Sequence, residues 1–242
     1  MTKSKLKKPS DKKDVFGAFL VENAQFTLGK YDMPIVRSNV DELPSALFSY
    51  QRAGSNQKEI ASGTALHFYV YDYLFDGEYG VWNSLIRGVE FKRGFNLNKL
   101  ERFDYIITPD YSLNGDMPIE WQIWNIYRSR AVAHALQDLG YKVIINARWS
   151  DERSYEFCFT GIEEGSVVAV SSYGCSKELI DKNMFEKGLI ELIVRIKPKA
   201  IILYGSLTES IKQIFKDFNQ NYIVFRSDTE IAMEVNHHGN EI

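Results

Sequence analysis

The feature that most constrains this chain is a series of short, almost wholly apolar runs that starts near residue 100, each followed by a stretch of helix length or a polar loop. Residues 104–110 (DYIITPD) read as a buried strand stopped by Pro109, which cannot donate to a ladder. A helix over 118–139 follows, with Pro118 suited to the first turn and Gly140 to the left-handed stop. Strands are then predicted over 142–147, 166–171, 199–204 and 222–225. Helices fall over 181–196, ending before Pro198, and over 206–218, where Ser206-Leu-Thr-Glu209 fits a capping box. Strands that alternate with helices pair in parallel, because each crossover returns the chain to the same edge. Strands that are apolar throughout rather than alternating belong to a sheet covered on both faces.

The first hundred residues are less periodic. Residues 66–73 (LHFYVYDY) read as a strand ending near Asp72, 33–36 as a weaker strand, and 43–50 as a short helix. Another helix is predicted over 96–103 with Asn96 or Asn98 as its N-cap. The expected architecture is one α/β domain over 15–228 with a mostly parallel sheet of about seven strands. An irregular (β/α) barrel is preferred, because polar strand ends recur along the whole series and a barrel gathers them all. An open doubly wound sheet is the alternative, and it gathers mainly those beside its switch point.

Aromatics make up 14% of the 242 residues, which no disordered chain sustains, so a sizeable core is expected. The net charge of -3 excludes a general polyanion binder. Six lysines and two aspartates in 1–14 give that segment +4 and leave -7 on the rest. Such a segment reads as a solvated tail, or as a basic arm on nucleic acid, although no aromatic interleaves its lysines for stacking. Residues 229–242 read as a polar C-terminal tail. No apolar stretch follows the first lysines as a secretory signal would need, and no run reaches membrane-span length. Cys158 and Cys175 lack CxxC spacing and are too few for a disulfide framework, so a reducing compartment, the cytoplasm, is expected.

The segments after the strands carry the candidate chemistry. Asp72 and Asp110 at neighbouring strand ends could hold Mg²⁺ through oxygen ligands or share acid–base work, or each could cap a turn. Ser112 follows in the same loop as Asp110. Arg148 could clamp a phosphate or carboxylate beside the stacking face of Trp149, or pair with a structural aspartate. Glu156, flanked by aromatics in Ser-Tyr-Glu-Phe-Cys-Phe, is expected either to have a raised pKa and act as general acid or base, or to be the partner of Arg148. On the helix over 118–139, Trp121, Val132, Ala135, Leu136 and Leu139 define an apolar face with Asn125 and Arg128 near its middle. Buried polar groups need partners, so these two either tether a strand-end aspartate or reach a ligand. Ser172 and Gly174, like Gly205 and Ser206, sit in short loops before helices, where backbone N–H groups could cradle an anion. Neither loop matches a Walker motif or GxGxxG. His67, His134, His237 and His238 form no ligand cluster, with His134 placed on the outer helix face, so zinc and thiol catalysis are not expected.

Several motifs recur in order in a known family: Ile107-Thr-Pro-Asp110-Tyr-Ser112, Gln122…Asn125-Ile-Tyr-Arg128, Val143-Ile-Ile-Asn-Ala-Arg148-Trp149, Ser154-Tyr-Glu156-Phe-Cys158-Phe…Gly161-Ile and Val167-Val-Ala-Val…Gly174. In these the chain resembles the bacterial and phage domain-of-unknown-function family number 4417, over roughly residues 15–226. The resemblance implies a phage or mobile-element setting, and through it action on nucleic acid or against a host defence system. It implies no defined activity. Three functions stay open: an enzyme acting on a phosphorylated, nucleotide-like small molecule or on nucleic acid, a non-catalytic protein that sequesters a ligand or blocks a host protein, and a structural or regulatory partner that acts through protein contacts alone. No membrane partner is expected, and no cofactor is identified beyond the Mg²⁺ that the aspartates could hold.

Overall fold

A computed structural model describes residues 16–54, 59–87, 97–173 and 179–232. Seven parallel strands lie side by side in sequence order: β1 (Ala46–Ser49), β2 (Thr64–His67), β3 (Tyr105–Ile107), β4 (Lys142–Asn146), β5 (Val167–Ser171), β6 (Ala200–Tyr204) and β7 (Tyr222–Phe225). Crossovers between parallel strands are right-handed, so an unbroken strand order puts all of them on one face of the sheet. The sheet then curls around its other face into a barrel, whereas a doubly wound sheet needs a reversal of order. The result is a nearly closed barrel flanked by helices α1 (Val81–Ile86), α2 (Leu97–Leu100), α3 (Ile119–Asp138), α4 (Leu179–Ile196) and α5 (Glu209–Asp217). Two contacts draw the edges together. The Tyr204 ring on β6 meets His67 of β2 and Tyr69 just beyond it at 4.7 Å each. Arg52, after β1, pairs with Asp228, after β7, at 3.3 Å.

The core has two layers. Outward-facing strand residues such as Leu66, Ile106, Ile145, Val168 and Leu203 pack with Val132 and Leu136 of α3 and Leu189 and Leu192 of α4. Inward-facing Ala65, Tyr105, Ile107, Ile144, Ala169, Ile202 and Tyr204 pack on each other, with no helical residue among them. Val40 joins this inner cluster at the N-terminal ends of the strands, where Asn39 binds Tyr141 O and Val143 N at 2.9 Å each. Both faces of the central strands are therefore dry, which is why those strands read as continuous apolar runs.

The four later strands and the helices between them lie within a few residues of the sequence reading. The N-terminal part differs. Residues 46–49 form strand β1 where a helix was expected, because Leu47 faces the barrel interior and Phe48 the outer layer, a strand's two-sided burial. Residues 33–36 make only isolated bridges, Pro34 to Phe26 and Val36 to Ile162. Strand β2 stops at His67 rather than running to Tyr73, and Asp72 instead opens a 3-10 turn, Asp72–Leu74. The capping box at Ser206 is not formed: Thr208 caps α5 by accepting from Ile211 N. Helix α2 spans four residues and starts before Asn98, so Asn98 is not its N-cap, and Asn96 lies outside the described residues. The basic segment 1–14, Cys175, His237 and His238 also lie outside them. Residues 228–232 continue as a helical turn.

Helix α3 buries a broader face than its periodicity suggests. Val132, Ala135, Leu136, Leu139 and Asn125 are buried as expected, but Trp121 is 63% exposed, and Gln122, Ser129, Arg130 and His134 are buried as well. The apolar stripe therefore marks one side of a buried face that continues over these polar residues. His134 faces inward, its Nδ1 lying 3.3 Å from Leu20 O.

Candidate functional site

The C-terminal ends of the strands open into a cavity of about 320 Å³, lined by Arg148, Trp149, Ser150, Ser171, Tyr173, Asp181, Met184 and Phe185 among others. Functional groups of parallel α/β barrels collect at this end, because the segments leaving the strands are there and the strands hold their starting points. Behind the cavity the barrel interior turns polar. Tyr69 Oη donates to Asn146 Oδ1 at 3.1 Å, and Asn146 Nδ2 donates to Asp110 Oδ1 at 2.7 Å. Arg148 then donates to Asp110 Oδ2 at 3.0 Å. Asp110 is a buried carboxylate with one cationic partner. Burial pushes its pKa up, and Asp72 adds to this, against the lowering effect of Arg148 and Asn146.

Deeper still, His67 packs against both Tyr69 and Tyr204, which stack on each other, and its Nδ1 accepts from Tyr69 N at 3.2 Å. An accepting Nδ1 is unprotonated, so the ring is neutral there. Burial, reinforced by the charge on Arg52, lowers the His67 pKa to about 3. Burial is the main cause that raises Tyr204 to about 12, and burial with the charge of Asp110 raises Tyr69 well above its ordinary value.

Trp149 is a wall of the cavity more than an open stacking face. Its indole is 8% exposed, packs on Phe185 and Phe159, and donates Nε1–H to Met184 O at 3.3 Å. Gly188 of α4 lies directly against the ring, where a Cβ would come within 2.1 Å of Nε1. The opposite wall is held by buried Gln122, which donates to Asn114 O and Met117 O and accepts from Ser150 Oγ at 2.6 Å.

Other expected site residues gather in separate clusters. Asp72 accepts from Ser112 N and Oγ at 3.1 and 2.9 Å, and Ser112 O accepts from Asn125 Nδ2 at 2.7 Å. Arg128 donates to Asn125 Oδ1 and to Asp76 at 2.7 Å, with its guanidinium 4.0 Å from the centre of the Tyr111 ring. In this structure Arg128 and Asn125 thus tie α3 to the loops after β2 and β3. Ser172 Oγ donates to Ser206 O at 3.0 Å, and Ser206 Oγ donates to Glu230. The Glu230 carboxylate also accepts from Ser227 N, so the chain supplies its own anion beside this loop. Gly205 has φ +109° and donates its N–H to Phe225 O, and Ser172 Oγ leaves no room for a Cβ there. Gly174 lies outside the described residues.

Glu156 stands apart. Its side chain is 60% exposed and pairs with Lys30 at 2.7 Å, and the hydrogen bond and charge of Lys30, with Tyr31, lower its pKa. The expected rise is reversed because the flanking Tyr155 and Phe157 turn into the core while Glu156 turns out. Among the described residues no three His, Cys, Asp or Glu side chains converge on a metal site.

Sequence reasoning missed Tyr69, Asn146, Ser150, Asp181 and the fully buried Arg130. Tyr69 had a signal, since His67 and Tyr69 share one side of an extended run. Arg130 had none: it donates to Thr160 O and Cys158 O at 3.0 and 2.7 Å, and its Nη1 has no hydrogen-bond partner among the described residues.

The chain is 34% identical over 194 residues to the "Gene 1 protein" of Mycobacterium phage L5, covering 79% of this chain and 80% of that one. It is also 34% identical over 194 residues to the "Gene 1 protein" of Mycobacterium phage D29, covering 67% of it. No solved structure matches. The model of the family described as "Domain of unknown function (DUF4417)" matches residues 26–224, which is most of the barrel, and the chain belongs to that family.

Proposed function

We propose that this phage-related protein binds a phosphorylated, nucleotide-like small molecule in the barrel mouth. The observation that carries this reading is the cavity of about 320 Å³ at the strand ends, where Arg148 meets an aromatic wall of Trp149, Tyr173 and Phe185. Its size suits a small ligand, and its lining is mixed, with Asn114, Arg148, Ser150, Ser171 and Asp181 beside the aromatic wall. Arg148 would take the phosphate, because a planar guanidinium matches its oxygens. Ser150, Ser171 and Asp181 would select among the ligand's donors and acceptors. Asp110 favours an enzyme over a passive binder: a buried carboxyl with a raised pKa is suited to proton transfer.

Thermal-shift and calorimetric titration with nucleosides, nucleotides and cyclic nucleotides tests the reading. A subset should raise the unfolding midpoint, and Arg148→Gln should weaken that subset at least tenfold while leaving the fold intact. If no member binds at millimolar concentration, or Arg148→Gln binds equally well, the reading fails.

A second reading, blockade of a host protein, is favoured by exposed aromatics. Tyr71 and Tyr73 stack on each other while 74% and 76% exposed, and Trp121 and Trp124 are 63% and 41% exposed. Exposed clusters of this kind mark protein contacts. If Trp121→Ser with Trp124→Ser abolishes biological activity while ligand binding persists, this second reading gains.

A further inference from the structure

Arg148 faces two ways. It lines the cavity with 27% of its side chain exposed, and it donates to Asp110, whose side chain is 11% exposed behind it. Asp110 cannot follow the guanidinium into the cavity, because a locked amide holds its other oxygen. Tyr69 Oη donates to Asn146 Oδ1, so Asn146 must present Nδ2 to Asp110, and Asn146 N is itself fixed by Thr108 Oγ1 at 2.9 Å. Asn146 and Tyr69 are neutral donors and leave the carboxylate charge in place. Among the described residues the remaining charged group acting on Asp110 is Asp72, from the turn after β2, which opposes that charge, while Asp181 lines the cavity itself.

We propose, resting on the ligand reading above, that an anionic ligand and Asp110 compete for the Arg148 guanidinium, so that anion binding at the mouth draws a proton from solvent onto Asp110. The balance is simple. The anion accepts hydrogen bonds from Arg148, the Asp110 carboxylate loses its cation, and one solvent proton joins Asp110 Oδ2 while Asn146 continues to donate to Oδ1. No other bond is made or broken. A second negative charge beside a buried carboxylate favours its neutral form, and linkage then requires that acidification strengthen anion binding.

The probe should carry an anion that does not titrate, because a phosphomonoester changes charge near pH 6. A cyclic nucleotide monophosphate meets this condition, with the matching neutral nucleoside as control. Titrations in two buffers of different ionisation heat count the protons taken up. The wild-type protein should take up a fraction of a proton per cyclic nucleotide and none with the nucleoside, and its affinity should rise several-fold per unit as pH falls from 7 towards 5. Asp110→Asn should bind the cyclic nucleotide at least several-fold more tightly at pH 7, with no proton uptake and a flat pH profile. Binding by the wild type without proton uptake overturns the competition and leaves the ligand reading standing. The wild-type measurement needs no variant, so a folding defect in Asp110→Asn does not blunt it. Absence of binding at every pH overturns the ligand reading and this inference together.

Discussion

Gly188 offers a test of the cavity wall that needs no ligand. It sits inside α4, where alanine ordinarily gains about 1 kcal/mol over glycine by restricting the unfolded chain. Here a Cβ would lie 2.1 Å from Trp149 Nε1, 2.3 Å from Cδ1 and 2.4 Å from Cε2. The indole cannot slide away, because Phe159 and Phe185 pack on it and Met184 O holds its N–H. Overpacking of a core costs about 1–3 kcal/mol, and expelling the ring forfeits a further 2 kcal/mol or so of burial. Gly188→Ala should therefore destabilise by about 2–3 kcal/mol, which in a chain of this size lowers Tm by roughly 5–10 °C. Calorimetry measures the shift, and tryptophan fluorescence reports whether the ring moves. Trp149→Leu in the Gly188→Ala background removes the clash, so the pair should be coupled by at least about 1 kcal/mol. If Gly188→Ala raises Tm by the increment expected of an ordinary helix site, the packing of α4 against Trp149 is wrong.

Two further outcomes follow from buried polar groups and a third from an exposed one. His67 has a folded pKa of about 3 against 6.5 unfolded, so the unfolded chain takes the proton first. Stability is then full above about pH 6.5 and falls as pH drops towards 3, on the order of 4–5 kcal/mol in all; urea midpoints for His67→Phe should show a flatter acid limb, and an unchanged limb refutes this. Arg130→Ala strands the carbonyls of Cys158 and Thr160 and opens a cavity, a loss of about 3–5 kcal/mol that Arg130→Lys should partly restore in chemical denaturation. Glu156→Gln should leave ligand affinity and the pH dependence of binding unchanged, since its contacts are Lys30 and Tyr31 on the surface; a lost activity would return Glu156 to the site.

The fold was legible where burial is two-sided. The strands β4 to β6 are almost wholly apolar because one layer of helices and one barrel interior cover them, and such runs announce themselves without periodicity, while the edge strand β7, no more buried than β1, was legible from its β-branched and aromatic residues. Residues 43–50 were illegible for the opposite reason: β1 is a barrel edge with three of its four residues only half buried, so its pattern is no stronger than that of a short helix. The inner face of α3 misled for a third reason. Gln122, Asn125, Ser129, Arg130 and His134 are buried beside Val132 and Leu136, each with at least one polar partner, and a stripe of partnered polar groups looks like a solvent face until those partners are known.

The same logic separates what could be read of the site from what could not. Asp110 and Arg148 were visible because each closes an apolar strand, and a charge at that position has either a partner or a ligand. Sequence could not decide that they are each other's partners, because the contact spans 38 residues and depends on β3 and β4 being neighbours. Nor could it show that Asp72 belongs with Ser112 and α3 instead, since β2 ends five residues before it and the turn carries it sideways. Tyr69 continues the inward alternation of Ala65 and His67 past the end of β2, which puts its ring against Tyr204. The polar relay from Tyr69 through Asn146 to Asp110 thus rests on that alternation and not on paired backbone. Tyr69→Phe should break the relay before it harms the core, and loss of the Asp110-linked pH dependence without a loss of Tm would show that order.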